Sequence, residues 1–463
     1  MFNDIRKMTR PEVNDPSLGL LPNWRNVVEF IEDITYRIWE QGNLDLIKET
    51  YSETCPIYTL QSCSSGYEMA IKNTRNTLKI FPDRTLYPEA VLWNGDNGKG
   101  EQDDDDGHGN IKGYHSSHLI NSRMTYHHPR QEISDSDFPA FSDGKKARIW
   151  VIAHCIIRDG VIVKEWLVRD NKYLFEQLGI CPNIVANNWA QKWIRELEES
   201  ASSRTSQHQT HYHWLQSEFK RVTSSQVEDD IKVDLQNVFP ICQRNKCFDL
   251  AQLIVSKYKL VWGKDGMSSK ARFSEFLRDV YHPHARFESP QGHDIVGYEE
   301  IEKLYDTFIF GNELGENVAM SIDWIIFDLE SNKNYQKYLK TKKTNGDIYL
   351  RTYNKWIYPT TEDVEIVQGL ENESNEHDDS SQGTNQLPES FTIAIRWTLV
   401  GHQKQRNLEQ TGSEFSLPVV LLAESHLRCV GIRIKHEITV YDAVALNAQL
   451  ELGKQIRKKD LNQ

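Results

Sequence analysis

The feature that most constrains this chain is an internal repeat. Glu165 and Asp170 of the first half return 272 positions later as Glu437 and Asp442, and other residues recur in the same order at the same distance. The further pairs at this offset are His154/His426, Ile162/Ile434, Val168/Val440, Leu174/Leu446, Gln177/Gln449 and Leu178/Leu450. Because unrelated coincidences would not share one offset, the repeat indicates two copies of one folding unit.

Within the first copy, helical patterning comes before strand patterning. Apolar residues recur at three- and four-residue steps from Trp24 to Ile38, which predicts an amphipathic helix. Segments rich in β-branched and aromatic residues are predicted strands, namely 86–94, 114–125, 148–157 and 161–169. The pair Asp159-Gly160 predicts a tight hairpin turn between the last two strands. Helices followed by an antiparallel meander predict an α+β fold, with the helices packed on one face of the sheet.

The repeat also predicts how the chain is divided. A first domain spans 22–182, a helix and a polar linker occupy 183–225, and a second, more divergent domain spans 226–453. The expected solvated insertions and acidic runs are 101–106, 332–347, 362–386 and 371–379. Two similar units on one chain can form internally the contact that a homodimer makes between chains, so we expect an intrachain pseudo-dimer.

Charge and hydropathy argue against several classes of partner. The 463 residues carry a net charge of −13, which repels phosphate backbones and argues against nucleic acid. No apolar run approaches the ~20 residues of a membrane helix, and residues 1–15 show no apolar core of a secretory signal. The 7 cysteines lack paired C-x-x-C spacing, so neither a disulfide framework nor a zinc site is predicted. These features predict a cytoplasmic protein with reduced thiols.

A short polar stretch contains three histidines, His208, His211 and His213. Three histidines could bind a metal, but no cysteine or carboxylate frames them. We therefore expect an exposed cluster, with no metal and no cofactor.

An ordered set of motifs runs through both copies. In the first copy they are Ile38-Trp39-x-x-Gly42-Asn43-Leu44-Asp45, Phe81-Pro82-Asp83, His115-Ser116-Ser117-His118, Asp159-Gly160-x-Ile162-x-x-Glu165-Trp166-x-x-x-Asp170 and Gln177-Leu178-Gly179. In the second copy they are Arg396-Trp397-Thr398, Gly401-His402, Gly431-x-x-Ile434-x-x-Glu437 and Tyr441-Asp442. The set resembles the SnoaL-like polyketide cyclase family of the nuclear transport factor 2-like superfamily, over most of 24–180 and more loosely over 230–452.

The resemblance implies a cone in each copy, in which three helices are wrapped by a strongly curved antiparallel sheet with an apolar pocket between them. In the cyclases a buried carboxylate removes a proton from a polyketide ester, and the ring closes by aldol condensation without metal or cofactor. The wider superfamily also contains isomerases, dehydratases and members with no known activity, so fold alone does not give function. The predicted fold class is α+β, in two tandem cone-shaped domains that each enclose a pocket.

At the positions of the family's acid–base pair, this chain has other residues. Counted back from the shared Gln-Leu-Gly, the acid falls at Leu167 in the first copy and at Thr439 in the second. The partner histidine on the neighbouring strand falls at Ala153 and Ser425. A shift of one residue would bring the adjacent histidines into play, but it would also turn each side chain to the other face of the sheet.

Recurring carboxylates are candidates for the catalytic role, and each has a structural alternative. Glu165 and Glu437 lie within predicted strands, where a glutamate is either a solvated outer-face residue or a proton carrier in a pocket. Asp170 and Asp442 precede predicted helices and are either N-caps or pocket acids.

Histidines give a second set of candidates. His154 and His426 recur in apolar strands and are either satisfied core histidines or general bases. His115 and His118 lie three apart on one strand and therefore point to opposite faces. The residues predicted to line a pocket or its rim are Tyr51, Tyr58, His118, His127, Trp166, Arg396, Trp397 and His402. Ordinary packing is the alternative for Tyr51, Tyr58 and Arg396, and a core position is the alternative for Trp166.

Two functions remain open on these residues. The first is a cofactor-free cyclase, isomerase or dehydratase that acts on an apolar, polyketide-like carbonyl compound. The second is a non-catalytic module of the same fold that binds a small apolar molecule or another protein. A shared cavity for His154 and Glu165 would favour the enzyme, and opposite faces would count against it.

Overall fold

The structure is a computed structural model. It describes residues 20, 23–24, 27–94, 114–128, 142–202, 211–224, 246–307, 319–328, 390–403 and 418–460. His208, the predicted insertions and both acidic runs lie outside the described residues. The predicted limits of the two domains and of the linker between them, 22–182, 226–453 and 183–225, stay predictions.

The first unit begins with helices and continues with long strands, as its sequence pattern predicts, but two short strands that the pattern does not predict precede its third helix. Its first helices are α1 (Val27–Thr35), which continues as a π-helical turn (Tyr36–Glu40), α2 (Asp45–Thr50) and α3 (Tyr67–Ile80). Its strands are β1 (Pro56–Tyr58), β2 (Cys63–Ser65), β3 (Thr85–Asn94), β4 (Tyr114–Thr125), β5 (Lys146–Arg158) and β6 (Val161–Arg169). The helices α4 (Asn171–Gln177), α5 (Pro182–Ser202) and α6 (His211–Ser224) follow.

The second unit has the same plan. Its helices are α7 (Lys246–Trp262), α8 (Lys264–Met267), α9 (Lys270–Val280), α10 (Tyr298–Thr307) and α11 (Ala443–Asp460). Its strands are β7 (Tyr281–Ser289), β8 (His293–Val296), β9 (Ala319–Asp328), β10 (Ser390–His402), β11 (Pro418–Val430) and β12 (Arg433–Tyr441). A short 3-10 turn (Pro290–Gly292) joins β7 to β8.

Among the described residues each unit contains one 6-stranded sheet, and the two sheets share one strand order. The first runs β2-β1-β6-β5-β4-β3 and the second β8-β7-β12-β11-β10-β9. Pairing is antiparallel except between β1 and β6 and between β7 and β12. Tyr51 pairs with Ile162 in the first unit, and Tyr281 pairs with Ile434 at the matching place in the second. The predicted α+β class is confirmed, and the sequence repeat is also a repeat of strand topology.

Local sequence explains the irregular points of the first sheet. Asp159 and Gly160 have φ values of 50° and 78°, the left-handed conformations that a two-residue hairpin turn requires. Arg158 pairs with Val161 across this turn, so the predicted hairpin is confirmed. The register of β3 shifts after Pro88, because a proline has no N–H for the ladder and is tolerated at a bulge.

Both faces of the first sheet are covered. On one face, α1 and α2 pack apolar side chains such as Phe30, Ile34 and Ile47 against Cys155 and Ile162. On the other face, the apolar core continues without a break into the second unit. The first unit therefore has a helix-covered face and a face that contacts the second sheet.

Polar bonds join the two units at the start of α4. The Asn171 side chain donates to Asp442 Oδ2 at 2.5 Å. The backbone N–H of Gln291 donates to Asp170 Oδ2 at 2.7 Å. Each unit thus contributes a carboxylate that accepts a hydrogen bond from the other unit.

The close contact at Gly292 gives a test of this junction. A Cβ atom at Gly292 would lie 2.4 Å from a ring carbon of Tyr173, and its φ is +74°. We expect Gly292→Ala to lower the free energy of unfolding by about 1–3 kcal/mol more than Gly144→Ala, because only the first adds a clash. Gly144 has a φ of +75° but nothing within 4 Å of the added atom. Equal losses in urea denaturation would show that this contact does not stabilise the junction.

Candidate functional site

A cavity of the first unit combines charged side chains with apolar walls. It lies between α1 with its π-helical turn and the inner face of β3 to β6, and its volume is about 50 Å³. This space holds a few water molecules or part of a small ligand, since one water needs roughly 10–15 Å³. Its polar lining consists of Thr35, Tyr51, Arg84, His118, Glu165 and Arg169.

Strand alternation decides which side chains reach this cavity. On β6 the lining residues are Ile162, Glu165, Leu167 and Arg169. The last three alternate with side chains of the opposite face such as Trp166. On β5 the lining includes Ala153. Leu167 and Ala153 are the positions at which the resemblance places the family's acid and histidine. Both positions therefore face the cavity, but neither side chain can carry a proton.

Glu165 is the carboxyl group of this cavity. It is 6% exposed and accepts a hydrogen bond from the Tyr51 side chain. Burial raises the pKa of Glu165 to about 7, although the bond from Tyr51 and the charge of Arg169 oppose the rise. Because such a carboxyl is partly ionised and partly protonated near neutral pH, it can accept a proton and return it.

Two guanidinium groups share the cavity with this carboxyl. Burial, and then the charge of Arg169, lowers the pKa of Arg84 to about 9, so Arg84 stays charged at neutral pH. Its Nε donates to Ser122 Oγ at 3.0 Å, and its guanidinium lies 5.9 Å from the centre of the Trp39 ring. In the described part of the chain, the buried Nε of Arg169 has no hydrogen-bond partner.

His154 lies on the opposite face of the sheet from Glu165, in the contact between the units. Arg396 Nη1 donates to His154 Nδ1 at 3.1 Å, and His154 Nε2 lies 3.0 Å from His115 Nδ1. Since Nδ1 of His154 accepts, the hydrogen-bond pattern assigns the ring proton to Nε2, which donates to His115. Burial, followed by the charge of Arg396, holds the pKa of His154 well below its usual range. His154 and Glu165 therefore do not share a cavity.

Three residues predicted to line a pocket lie in this contact between the units and not in the cavity. The Arg396 guanidinium lies 3.5 Å from the centre of the Trp166 ring, and Tyr58 stacks on Trp166 with ring centres 5.8 Å apart. The reason is the pleat of β6, because Trp166 follows a cavity-facing residue and so points away from the cavity.

His426 lies in the same contact, where Ser117 of the first unit is within hydrogen-bond distance of both His426 and Glu424 of β11. His426 Nε2 is 2.8 Å from Ser117 Oγ, which donates to Glu424 Oε2 at 3.4 Å. Burial lowers the pKa of His426 to about 3 and raises the pKa of Glu424 to about 8. Both side chains are therefore mainly uncharged at neutral pH, which lowers the cost of burying them.

Hydroxyl groups surround the matching glutamate of the second unit. Tyr258 donates to Glu437 Oε1 at 2.9 Å, and the hydroxyls of Tyr281 and Thr439 also donate to its carboxylate. Glu437 is fully buried, and burial raises its pKa to about 7. Its hydrogen-bonding capacity is met within the protein, in contrast to the cavity-facing Glu165.

The two recurring aspartates have the geometry of helix caps. Asp170 accepts a hydrogen bond from the backbone N–H of Tyr173 at 3.2 Å, at the start of α4. Asp442 accepts from the backbone N–H groups of Val444 and Ala445 at 3.0 and 3.1 Å, at the start of α11. Neither aspartate is among the residues that line the cavity. The N-cap alternative therefore describes both positions.

The remaining predicted rim residues lie apart from one another. His127 is exposed after β4, whereas His402 packs edge-on against Phe219 with ring centres 4.7 Å apart. Trp397 is buried in the second unit and donates to Ser425 Oγ at 3.0 Å. They do not form one site with the cavity of the first unit.

The prediction of exposure for the histidine cluster is wrong at His211. This side chain is buried, and its Nε2 lies 3.0 Å from the carbonyl oxygen of Leu60, because α6 packs against the first unit. Burial lowers the pKa of His211 to about 4. His213 is exposed on the other side of the helix.

Metal sites and membrane-spanning helices are described only for the ranges given above. Within them, no group of three His, Cys, Asp or Glu side chains is placed to hold a metal ion. The helices that can be assessed include none long and apolar enough to cross a membrane. Free cysteines are Cys55, Cys63, Cys155, Cys181 and Cys429.

Sequence reasoning missed both arginines of the cavity. Arg169 had a usable signal, since it lies four residues after Glu165 on one strand and so shares its face. Arg84 had no such signal in the sequence. It lies just before β3 and enters the cavity only because of the path of the turn that leads into this strand.

No family model matches this chain, and no curated protein matches it. Several solved structures are similar to about a third of it. TsrD from Streptomyces laurentii is 16% identical with a TM-score of 0.26, over 33% of this chain and 96% of that protein. A candidate polyketide cyclase from Bacillus cereus is 22% identical with a TM-score of 0.25, over 38% of this chain and 95% of that protein.

A candidate SnoaL-like polyketide cyclase from Jannaschia is 15% identical with a TM-score of 0.25, over 36% of this chain and 96% of that protein. Two of these three structures are thus described as candidate polyketide cyclases, and one of them as SnoaL-like, the family that the motifs resemble. At these identities and TM-scores they assign no activity to this chain.

The buried titratable groups predict how stability varies with pH. Burial raises the pKa of Glu424 to about 8 and that of Glu437 to about 7, from a usual 4.5. The folded state then binds more protons than the unfolded state, so stability falls as pH rises through these values. Burial lowers the pKa of His426 to about 3 from a usual 6.5, so stability also falls as pH drops below 6.5. The two effects oppose each other between pH 4.5 and 6.5, and above pH 6.5 only the carboxyl groups act, so we expect the melting temperature to fall as pH rises from about 6.5 to 8.

Scanning calorimetry of variants between pH 6 and 9 checks the alkaline half of this prediction. Glu424→Gln should reduce the loss of stability above pH 7, because the titrating group is gone. The control Glu68→Gln removes an exposed carboxylate and should leave the loss unchanged. An unchanged pH profile in Glu424→Gln would contradict the assignment.

Proposed function

We propose that the first unit carries out cofactor-free acid–base chemistry on a small carbonyl compound, as a cyclase, isomerase or dehydratase. The observation that carries the proposal is a buried carboxyl, Glu165, whose pKa is raised by burial to about 7 in a cavity that also holds two guanidinium groups. Such a group is suited to proton transfer near neutral pH.

In this mechanism Glu165 is the general base. Its carboxylate removes a proton from the carbon next to the substrate carbonyl, and the electron pair of that C–H bond moves to the carbonyl oxygen as an enolate. Arg84 and Arg169 stabilise the negative oxygen in a site largely closed to water. Tyr51 holds the carboxyl in position through its hydrogen bond.

The proton then leaves Glu165 in one of three ways. It returns to a different carbon in an isomerisation. It goes to the alkoxide that forms when the enolate attacks a second carbonyl, which closes a ring. In a dehydration it goes to the departing hydroxyl group, which leaves as water.

The second unit acts in this proposal as the packing partner of the first, in an intrachain pseudo-dimer. The shared strand order and the bonds of Asp170 and Asp442 across the junction support this role. A cytoplasmic location is proposed on the free thiols of the described cysteines, since disulfides are rare in that compartment.

A non-catalytic binding module is the second candidate function. It is favoured by the position of His154 on the opposite face of the sheet from Glu165, which counts against the enzyme. It is also favoured by Leu167 and Ala153, the apolar side chains at the cavity positions where the resemblance places an acid and a histidine. Such a module would bind a small molecule in the cavity, or a protein partner, without turnover.

Proton exchange into small ketones tests the catalytic proposal. The full-length protein is incubated in D₂O with pyruvate, pyruvamide and butan-2-one, and deuterium next to the carbonyl is followed by NMR. We expect exchange faster than in buffer, with a rate that rises with pH through about 7, because Glu165 must be ionised to act as a base. Glu165→Gln should lower the rate by about 10²–10⁴-fold.

The repeat supplies the matched control. Glu437→Gln makes the same substitution at the equivalent position of the second unit and should keep the exchange, with folding checked by circular dichroism. Retention in Glu165→Gln with loss in Glu437→Gln would move the chemistry to the second unit. No exchange with any of the three ketones would favour the binding module.

A further inference from the structure

We infer that the cavity of the first unit binds a carboxylate of its ligand on the guanidinium groups of Arg84 and Arg169. The ligand class is then a small oxo acid and not a neutral ketone. The inference rests on the proposed function for the place of the reacting carbonyl, next to Glu165, and on the cavity itself for the carboxylate.

The first argument is the charge of the cavity. Burial, and then the charge of Arg169, lowers the pKa of Arg84, and both guanidinium groups line the cavity. Glu40 offsets part of the charge of Arg84, and Glu165 and Asp442 offset part of the charge of Arg169. The pKa of both arginines is still lowered, so this offset is incomplete. Two like charges that are removed from water are costly unless an anion offsets them. A bound carboxylate supplies that anion.

The second argument is the set of donors that remain. Arg84 is 7% exposed, and its Nε is bonded to Ser122. Among the described residues, its terminal Nη groups make no hydrogen bond. The Arg169 side chain likewise makes no hydrogen bond within the described part, and its buried Nε has no partner. Guanidinium groups with such free donors match the two oxygens of a carboxylate, which they bind in a bidentate manner.

An enolate alone does not account for both arginines. It exists only during the reaction, so it cannot offset two buried charges in the complex that precedes proton transfer. A carboxylate carries its charge throughout binding. We therefore assign the permanent anion to the ligand, with one guanidinium still near enough to the carbonyl to stabilise the enolate.

The second copy of the fold provides an internal comparison. The position that matches Arg169 at the offset of 272 is Tyr441. The nearby glutamate, Glu437, accepts bonds from three hydroxyl groups in an enclosed core. The guanidinium is thus present in the copy whose glutamate faces a cavity and absent in the copy whose glutamate is enclosed.

Calorimetric titration of the full-length protein with pyruvate and with pyruvamide tests the inference. The two compounds have nearly the same shape and differ in charge. At pH 7 we expect pyruvate to bind at least about tenfold more tightly, as a charge-assisted pair requires. Arg169→Met should reduce the ratio of the two affinities to near one. Arg169→Lys should restore part of the preference, because lysine keeps the charge but lacks the paired N–H donors of the guanidinium.

Arg123→Met is the matched control. Arg123 lies on β4 of the same sheet but is exposed, with its guanidinium 5.1 Å from the centre of the Tyr87 ring. This variant should keep the preference for pyruvate. If Arg169→Met does not fold, Arg84→Met replaces it, and the preference of the wild-type protein already decides whether the anion is bound.

Equal affinity for the two probes, no binding of either, or the same loss in Arg123→Met would overturn the inference. Calorimetry needs no turnover, so it reports binding separately from the proposed chemistry. A preference for pyruvate without deuterium exchange in any ketone would refute the proposed chemistry and leave the carboxylate site standing. Exchange into butan-2-one without such a preference would refute the carboxylate site alone.

Discussion

The pleat of a β-strand sends successive side chains to opposite faces of a sheet, and this constraint separates the chemistry of the first unit into two environments. Glu165 and Arg169 face the cavity under α1, while Lys164 and Trp166 of the same strand face the second unit. The helices α1 and α2 cover the first of these faces. The other face carries buried histidines, so it needs a partner that offers hydrogen bonds as well as apolar surface. The second sheet meets both requirements.

The contact between the sheets is polar at its centre. Its buried titratable groups are either neutral or lie beside a partner. His154 is neutral and lies between Arg396 and His115 in one hydrogen-bonded chain. Arg396 in turn lies against the Trp166 ring and 3.9 Å from the carboxylate of Asp323. Removing one member of such a chain leaves its neighbours buried without partners, which costs more than the pair contributes when it is intact. The contact therefore selects one arrangement of the two units and has little tolerance for another.

The sequence predicts this structure well where neighbouring residues decide it and poorly where distant residues do. Strands β4 and β6 coincide with the predicted segments 114–125 and 161–169, because composition and alternation are local. The N-cap geometry of Asp170 follows in the same way from its place before a helix. The partner of His154 could not be found, because Arg396 is 242 residues away and local pattern says nothing about which faces meet. The presence of Arg84 in the cavity could not be predicted for a similar reason, since Arg84 reaches the cavity from a turn whose path is set by packing.

The two copies show that the same carboxyl group of the fold can either face a cavity or be enclosed in the core. Both place a tyrosine hydroxyl against the strand glutamate, Tyr51 with Glu165 and Tyr281 with Glu437. In the second copy, Tyr258 and Thr439 add further hydroxyl donors, and the carboxyl is held within the core. The first copy instead has the apolar Leu167 at the position that matches Thr439, so Glu165 lacks this donor and faces open space. Replacing a neighbouring donor by an apolar side chain thus leaves the carboxyl with hydrogen-bonding capacity that only a ligand or water can meet, and this is the physical condition for a binding site.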